Sequence, residues 1–227
     1  MTRRAVAFSA VAITSTAAFA LLASAVTRRH TAHTDRKLLG KTAARDKRVR
    51  RAANAVHPAG KWYVFVPVAV VAAGIVLARG ADSPRRRVAG AAAIVAAALA
   101  SAIVNPALDA WLPQPPVPPG RRTKPKPSFP SGHTFSLGAV MTTAAYVLAE
   151  ERIVSPQVAV PVALLIPVLA GTARMVEEKH WPSDVGGGAL VAAVISACCL
   201  ALYEANRESG GKSPLPPQRE RVARSAR

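Results

Sequence analysis

Acidic residues are scarce in this sequence. Its 227 residues include 12 Asp and Glu against 30 Lys and Arg, a formal net charge of +18. Cysteine is scarcer still. Cys198 and Cys199 are the only two, and they are adjacent inside an apolar run. Adjacent cysteines rarely bridge each other and show no metal-ligand spacing, so they read as small packing residues. No internal repeat is visible. No nucleic-acid motif accompanies the positive charge, which therefore does not point to DNA or RNA as a partner. There is also no carboxylate cluster suited to Mg²⁺.

What the sequence has is apolar length. Hydrophobic residues make up 51% of the chain, gathered into long runs with the basic residues between them. A charge at a bilayer centre costs roughly 2.5–3.5 kcal/mol on insertion scales, so this segregation is what a membrane protein requires. A spanning helix needs about 20 apolar residues. Six runs qualify, several at the short end: Ala5 to Val26, Trp62 to Ala78, Val88 to Val104, Thr134 to Ala149, Pro156 to Thr172 and Val185 to Tyr203. The expected fold is all-α, a polytopic membrane bundle of about six transmembrane helices. Its many Ala, Gly and Val positions suit close helix packing in lipid. Pro67, Pro161 and Pro167 are candidate kinks. The first run also has a signal-peptide reading, with Arg3 and Arg4 before it and Ala23-Ser24-Ala25 at its end. Its length favours a retained anchor.

The connections divide the chain into three parts. Residues 1–61 form an anchor helix and a basic loop. Residues 62–206 form the helical core, and residues 207–227 a charged, disordered tail. Residues 27–61 carry 11 Lys or Arg; Lys41 to Val56 reads equally as a basic surface helix or a solvated loop. From Pro113 to Pro130 there are eight prolines, which excludes regular helix there.

Two segments carry chemistry. Phe129-Pro130-Ser131-Gly132-His133 opens the fourth span. Free backbone N–H groups at a helix start favour anions such as phosphate. Gly132 allows close approach, Ser131 offers a hydroxyl donor, and His133 can carry a proton near neutral pH. Alone, the segment reads better as a serine cap beside a chance histidine. The second segment lies between the fifth and sixth spans. Arg174 offers a planar fork for phosphate oxygens. His180 is a candidate nucleophile if a carboxylate holds one ring nitrogen, and Asp184, four residues on, is placed to do so. Alone, this segment also fits an ion-pair cluster at a membrane interface. Counting spans puts both segments on one side of the membrane, where the two histidines can meet. His30, His33 and His57 lack such context.

Together these residues resemble the type 2 phosphatidic acid phosphatase superfamily. Pro130-Ser131-Gly132-His133 matches that family's second signature. Arg174, His180 and Asp184 match the third, with Ala173 where the family has serine. The likeness covers roughly residues 60–205. The first signature departs: Asn105 stands where the family has lysine, and Leu112-Pro113 where it has Arg-Pro. Arg121, Arg122, Lys124 and Lys126 are the nearby cations that can replace the missing charge. The resemblance implies a membrane lipid phosphatase acting through a phosphohistidine intermediate, without metal or other cofactor. It implies His180 as nucleophile, Asp184 as its orienting partner and His133 as general acid and base. Arg174, Ser131, Gly132 and the 121–126 cations would bind phosphate. A lipid phosphotransferase, or a degenerate member that has lost activity with its first signature, are the alternatives. The partners expected are a lipid phosphate substrate and membrane lipids; phosphatidate, phosphatidylglycerol phosphate and polyprenyl phosphates or diphosphates all fit, with the Ala- and Arg-rich composition tilting towards a polyprenyl or cell-envelope lipid, and the oligomeric state is open.

Sidedness rests on opposed arguments. The side bearing both segments carries 17 Lys and Arg against 13 on the other, which places it in the cytoplasm. Setting aside the six basic residues of the two active-site connections leaves 11 against 13 and reverses the preference. Relatives of this family often work on the extracytoplasmic face. The expectation is a multi-pass protein of the cell membrane with its termini inside and its site outside.

Overall fold

The structure, a computed structural model, describes residues 2–43, 46–81, 83–121 and 126–209. Among them there is helix and no strand. In chain order the helices are α1 (Arg3–Thr27), α2 (Ala32–Thr42), α3 (Lys47–Val56), α4 (Trp62–Arg79), α5 (Pro84–Trp111), α6 (Gly132–Glu150), α7 (Pro156–Val176) and α8 (Pro182–Ser209). Short 3₁₀ turns lie at His57–Gly60 and Pro119–Arg121.

The helix starts follow from local chemistry. Thr2 caps α1, its hydroxyl oxygen accepting from the Ala5 N–H at 2.7 Å. Pro84, Pro156 and Pro182 open their helices, where a missing N–H costs nothing and the fixed φ is already helical. Pro67, Pro161 and Pro167 sit inside helices that continue through them. The basic 27–61 segment holds two helices, α2 and α3, with residues 44 and 45 between them outside the described set. The span boundaries grow by a few residues at most ends, because polar and charged turns extend each helix beyond its apolar stretch.

Among the described residues five helices, α1, α4, α5, α7 and α8, are long and apolar enough to cross a membrane. The helix α6 falls short of that hydropathy because it carries His133 and several Ser, Thr and Gly residues. It occupies the interior instead, packed against α4, α5, α7 and α8. Phe135, Val140, Thr143 and Val147 on α6 are fully buried. Ile94 and Val76 meet them from one side, Leu200 and Tyr203 from the other. The first helix lies along α8.

One end of the bundle is tied by charge. Glu151 accepts from the Ala81 N–H at 2.8 Å, from Arg86 Nε at 2.7 Å and from the Tyr203 hydroxyl. Beside it, Glu150 pairs with Arg4 at 2.8 Å and with Arg207. These contacts join α1, α5, α6 and α8. The opposite end of α6 begins at Gly132, so α6 runs from this charged end to the candidate site.

Candidate active site

The sequence segments at 129–133 and 174–184 meet at the start of α6. Ser131 is the residue before α6, in extended conformation, and it is fully buried. Its N–H donates to the Asp184 carbonyl at 2.9 Å, which fastens the two segments through the backbone. Its hydroxyl oxygen accepts from Thr134 Oγ1 at 3.1 Å. Gly188 on α8 admits this contact: a Cβ there would stand 2.7 Å from the Ser131 carbonyl oxygen.

His180 lies in the turn between α7 and α8 and is 2% exposed. Its Nδ1 lies 3.0 Å from the Ser128 carbonyl oxygen and 3.3 Å from Asp184 Oδ2. Both partners are acceptors, so they favour the tautomer with hydrogen on Nδ1 and the lone pair on Nε2. Asp184 is fully buried in the first turn of α8, and its Oδ2 also accepts from the Trp181 N–H at 2.8 Å. That carboxylate cannot rotate away without losing a backbone donor. The start of α8 is itself held by α2: Asp35, buried, accepts from the Ser183 N–H at 2.9 Å and from its hydroxyl at 2.8 Å.

The two histidines lie with ring centroids 6.4 Å apart and planes tilted by 58°. His133 sits in the first turn of α6 beneath the 3₁₀ turn of residues 57–60. A Cβ on Gly60 would stand 2.5 Å from His133 Cβ, so only glycine lets that turn pass. The basic 27–61 segment thus reaches over the site.

Arg174 lies in the last turn of α7 and is 4% exposed. Its Nη1 lies 2.6 Å from Glu177 Oε2, and Glu177 Oε1 lies 3.1 Å from Lys179 Nζ. The Pro-rich connection is pinned at three places. The Gln114 side chain bonds the backbone of Ser128 and Phe129, Trp181 Nε1 donates to the Pro116 carbonyl at 2.7 Å, and the Gly120 N–H donates to the Glu178 carbonyl at 2.9 Å. The Arg121 backbone therefore leaves from the edge of the Glu177–Glu178 turn. Arg122 and Lys124 lie outside the described residues, and Lys126 is exposed. Asn105, on α5, rests its side-chain amide against the Cα of Gly132, where a Cβ would overlap Asn105 Oδ1.

Beside the site an apolar cavity of ≈ 500 Å³ runs between α1, α6, α7 and α8. Thr134, Met175 and Val185 line its end nearest the histidines, and Phe8 and Val11 line it from α1.

Of the residues singled out in the sequence, the fold brings His133, His180, Asp184, Ser131 and Gly132 together at the start of α6, while Arg174 stands in the last turn of α7 paired with Glu177. Sequence reasoning missed Ser128, Thr134, Asp35, Glu177 and Lys179. A family model for the PAP2 superfamily matches residues 8–208.

The chain belongs to the PAP2 superfamily.

The motif likeness and the family match thus agree. The PAP2 fold is also visible in a solved structure. The crystal structure titled as the first transmembrane PAP2 type phosphatidylglycerolphosphate phosphatase from Bacillus subtilis superposes with a TM-score of 0.68. The match covers 89% of this chain and 97% of that one at 18% identity. At that identity the likeness is one of fold. A search of curated proteins gave no match. The chain is a PAP2 membrane protein of the phosphatase fold, with several membrane-crossing helices.

Proposed function

We propose that this PAP2 protein hydrolyses a phosphomonoester or diphosphate lipid through a phosphohistidine intermediate. The observation that carries the reading is the bonding of His180. Two buried acceptors, the Ser128 carbonyl and Asp184, flank Nδ1, which favours Nε2 as the nucleophile, in a ring whose centroid lies 6.4 Å from that of His133.

In this scheme His180 Nε2 attacks phosphorus in line, forming the N–P bond as the bond to the lipid oxygen breaks. The imidazolium that results is stabilised by Asp184 and by the Ser128 carbonyl. His133 gives its proton to the departing lipid oxygen, then takes one from the water that cleaves the phosphohistidine. Arg174, the Ser131 hydroxyl and the Gly132 N–H hold the equatorial oxygens, with a cation from Arg121, Arg122, Lys124 or Lys126 as a further contributor. Positioning and charge stabilisation of this kind dominate phosphoryl transfer.

The apolar cavity gives the hydrocarbon chain a place next to the reacting phosphate, because Thr134 both lines it and bonds Ser131. The substrate would then be drawn laterally from the bilayer. The Bacillus subtilis neighbour is titled a phosphatidylglycerolphosphate phosphatase, so that lipid belongs in the test set beside phosphatidate and polyprenyl phosphates. We place the protein in the cell membrane with the site on the extracytoplasmic face.

The test is phosphate release from this panel by the purified protein with EDTA present. Hydrolysis of at least one lipid that survives chelation is the expected result. Strict dependence on an added divalent metal would contradict the mechanism. Transfer of labelled phosphate to an acceptor other than water would make the protein a phosphotransferase.

A further inference from the structure

The cation assigned to phosphate already has an anion on it. Glu177 is 2% exposed, and its carboxylate lies 2.6 Å from Arg174 Nη1. Its second oxygen is held by Lys179 Nζ at 3.1 Å, and the Lys179 side chain is 33% exposed. The pair Arg174–Glu177 is therefore almost dry, and a second cation at the edge of the site shares the same carboxylate.

We propose that Glu177 is a resident counter-anion that the phosphoryl group must compete with for Arg174, and that it sets how tightly the site holds phosphate. It is a positioning residue, acting through Arg174; the inference rests on Arg174 being the phosphate ligand of the reading above.

The physical case is one of like charge. A guanidinium has five N–H donors in a fixed plane. Glu177 occupies the edge at Nη1, so a phosphate bound on the remaining donors comes within a few ångströms of a carboxylate. In a water-poor site that repulsion is weakly screened. Lys179 offers relief: it already holds Oε1, so the carboxylate can lean towards Lys179 when phosphate arrives and return to Arg174 when phosphate leaves. A hydrolase that neutralises its transition state with cations otherwise binds its inorganic product by the same contacts. A carboxylate that re-pairs with Arg174 favours release of that product. The spacing is legible in the sequence, since residues three apart share a helix face, and α7 ends on this pair.

The test uses the full-length protein in detergent and inorganic phosphate as the probe. Phosphate is measured as an inhibitor of lipid hydrolysis and, independently, as a ligand by calorimetry. Glu177→Gln keeps the shape and removes the charge. Its phosphate inhibition constant should fall by about ten-fold, with KM for the lipid falling alongside and kcat not rising. Glu177→Asp retracts the carboxylate and is the second variant if Glu177→Gln does not fold; it should shift the constant the same way by about three-fold. A purely structural role for Glu177 predicts lost stability with phosphate affinity unchanged or weaker, and either of those results would overturn the proposal. Arg174→Met separates the two claims. If phosphate binds wild type and that variant equally, the reading of Arg174 fails. If Arg174→Met loses phosphate while Glu177→Gln leaves it unchanged, only the counter-anion proposal fails.

Discussion

At the scale of single residues, the account depends on one ring nitrogen. Nδ1 of His180 is flanked by two acceptors, which favours the tautomer with its lone pair on Nε2, the atom assigned as nucleophile. His180→Ala should abolish turnover, because no neighbouring group forms the same covalent intermediate. His133→Ala should slow turnover by about 10²–10⁴ for lipids with poor leaving groups and by less for activated aryl phosphates, since an acid matters less when the leaving oxygen is already stable. Rates for the two variants on both substrate types check this. Near-normal turnover by His180→Ala would remove the nucleophile assignment. Gly132→Ala should also cut activity sharply, because its Cβ runs into Asn105 Oδ1. Pairing it with Asn105→Gly should restore part of the loss. The chemistry-bearing side chains were legible because their spacing is fixed within short segments. Ser128 was not, because it acts through a carbonyl oxygen, and a backbone acceptor leaves no mark in residue type. Asn105 was visible only as a departure from the family pattern; that its amide lies on Gly132 depends on how α5 packs against α6.

At the scale of elements, connections do more than the sequence announces. The α2 helix holds the start of α8 through Asp35, and the turn 57–60 lies on His133. Asp35→Ala removes two hydrogen bonds at the first turn of α8, a loss of about 1 kcal/mol by analogy with helix caps. Because Asp184 is the next residue, turnover should fall several-fold as well; thermal unfolding and kcat, measured together, check both. Neutralising Arg121, Arg122, Lys124 and Lys126 together should raise KM or lower turnover by more than ten-fold, if these cations replace the missing first signature. An unchanged rate would mean that Arg174 and the backbone donors suffice. The far end makes a pH statement. Burial alone would push the Glu151 carboxyl up. The Tyr203 hydroxyl, the Ala81 N–H and Arg86 outweigh that and hold it below its ordinary value of 4.5. A carboxyl with a depressed folded-state pKa stabilises above its unfolded value, and that contribution is lost as pH falls through the folded value. Thermal stability should therefore decline below about pH 4.5, and Glu151→Gln should be less stable at neutral pH and less sensitive to acid. The sequence showed the apolar stretches of each helix but not the pairing of α2 with α8, since apolar length marks where a helix meets lipid and says nothing of polar contacts between distant segments.

At the scale of the whole molecule, the fold is five apolar helices around a sixth that is more polar and more buried. That arrangement was legible in outline: apolar runs of about 20 residues have few other uses. The position of α6 inside the bundle was not, because a helix rich in Ser, Thr and Gly reads as a weaker span until packing shows that its neighbours shield it from lipid. Which way the bundle faces follows from charge only weakly. With termini inside and site outside, single cysteines placed in the 27–61 segment should react with a membrane-impermeant thiol reagent in intact cells; protection until permeabilisation would reverse the topology and leave the chemistry standing. The central claim is the phosphohistidine, and the whole protein tests it directly. The purified enzyme, turning over a ³²P-labelled lipid phosphate in EDTA, is quenched at alkaline pH within the first turnovers, and the labelled peptide is mapped. Label is expected on His180, absent in His180→Ala and accumulating in His133→Ala, whose hydrolysis step is slowed. Sustained phosphate release with no label on His180 in either wild type or His133→Ala would contradict it.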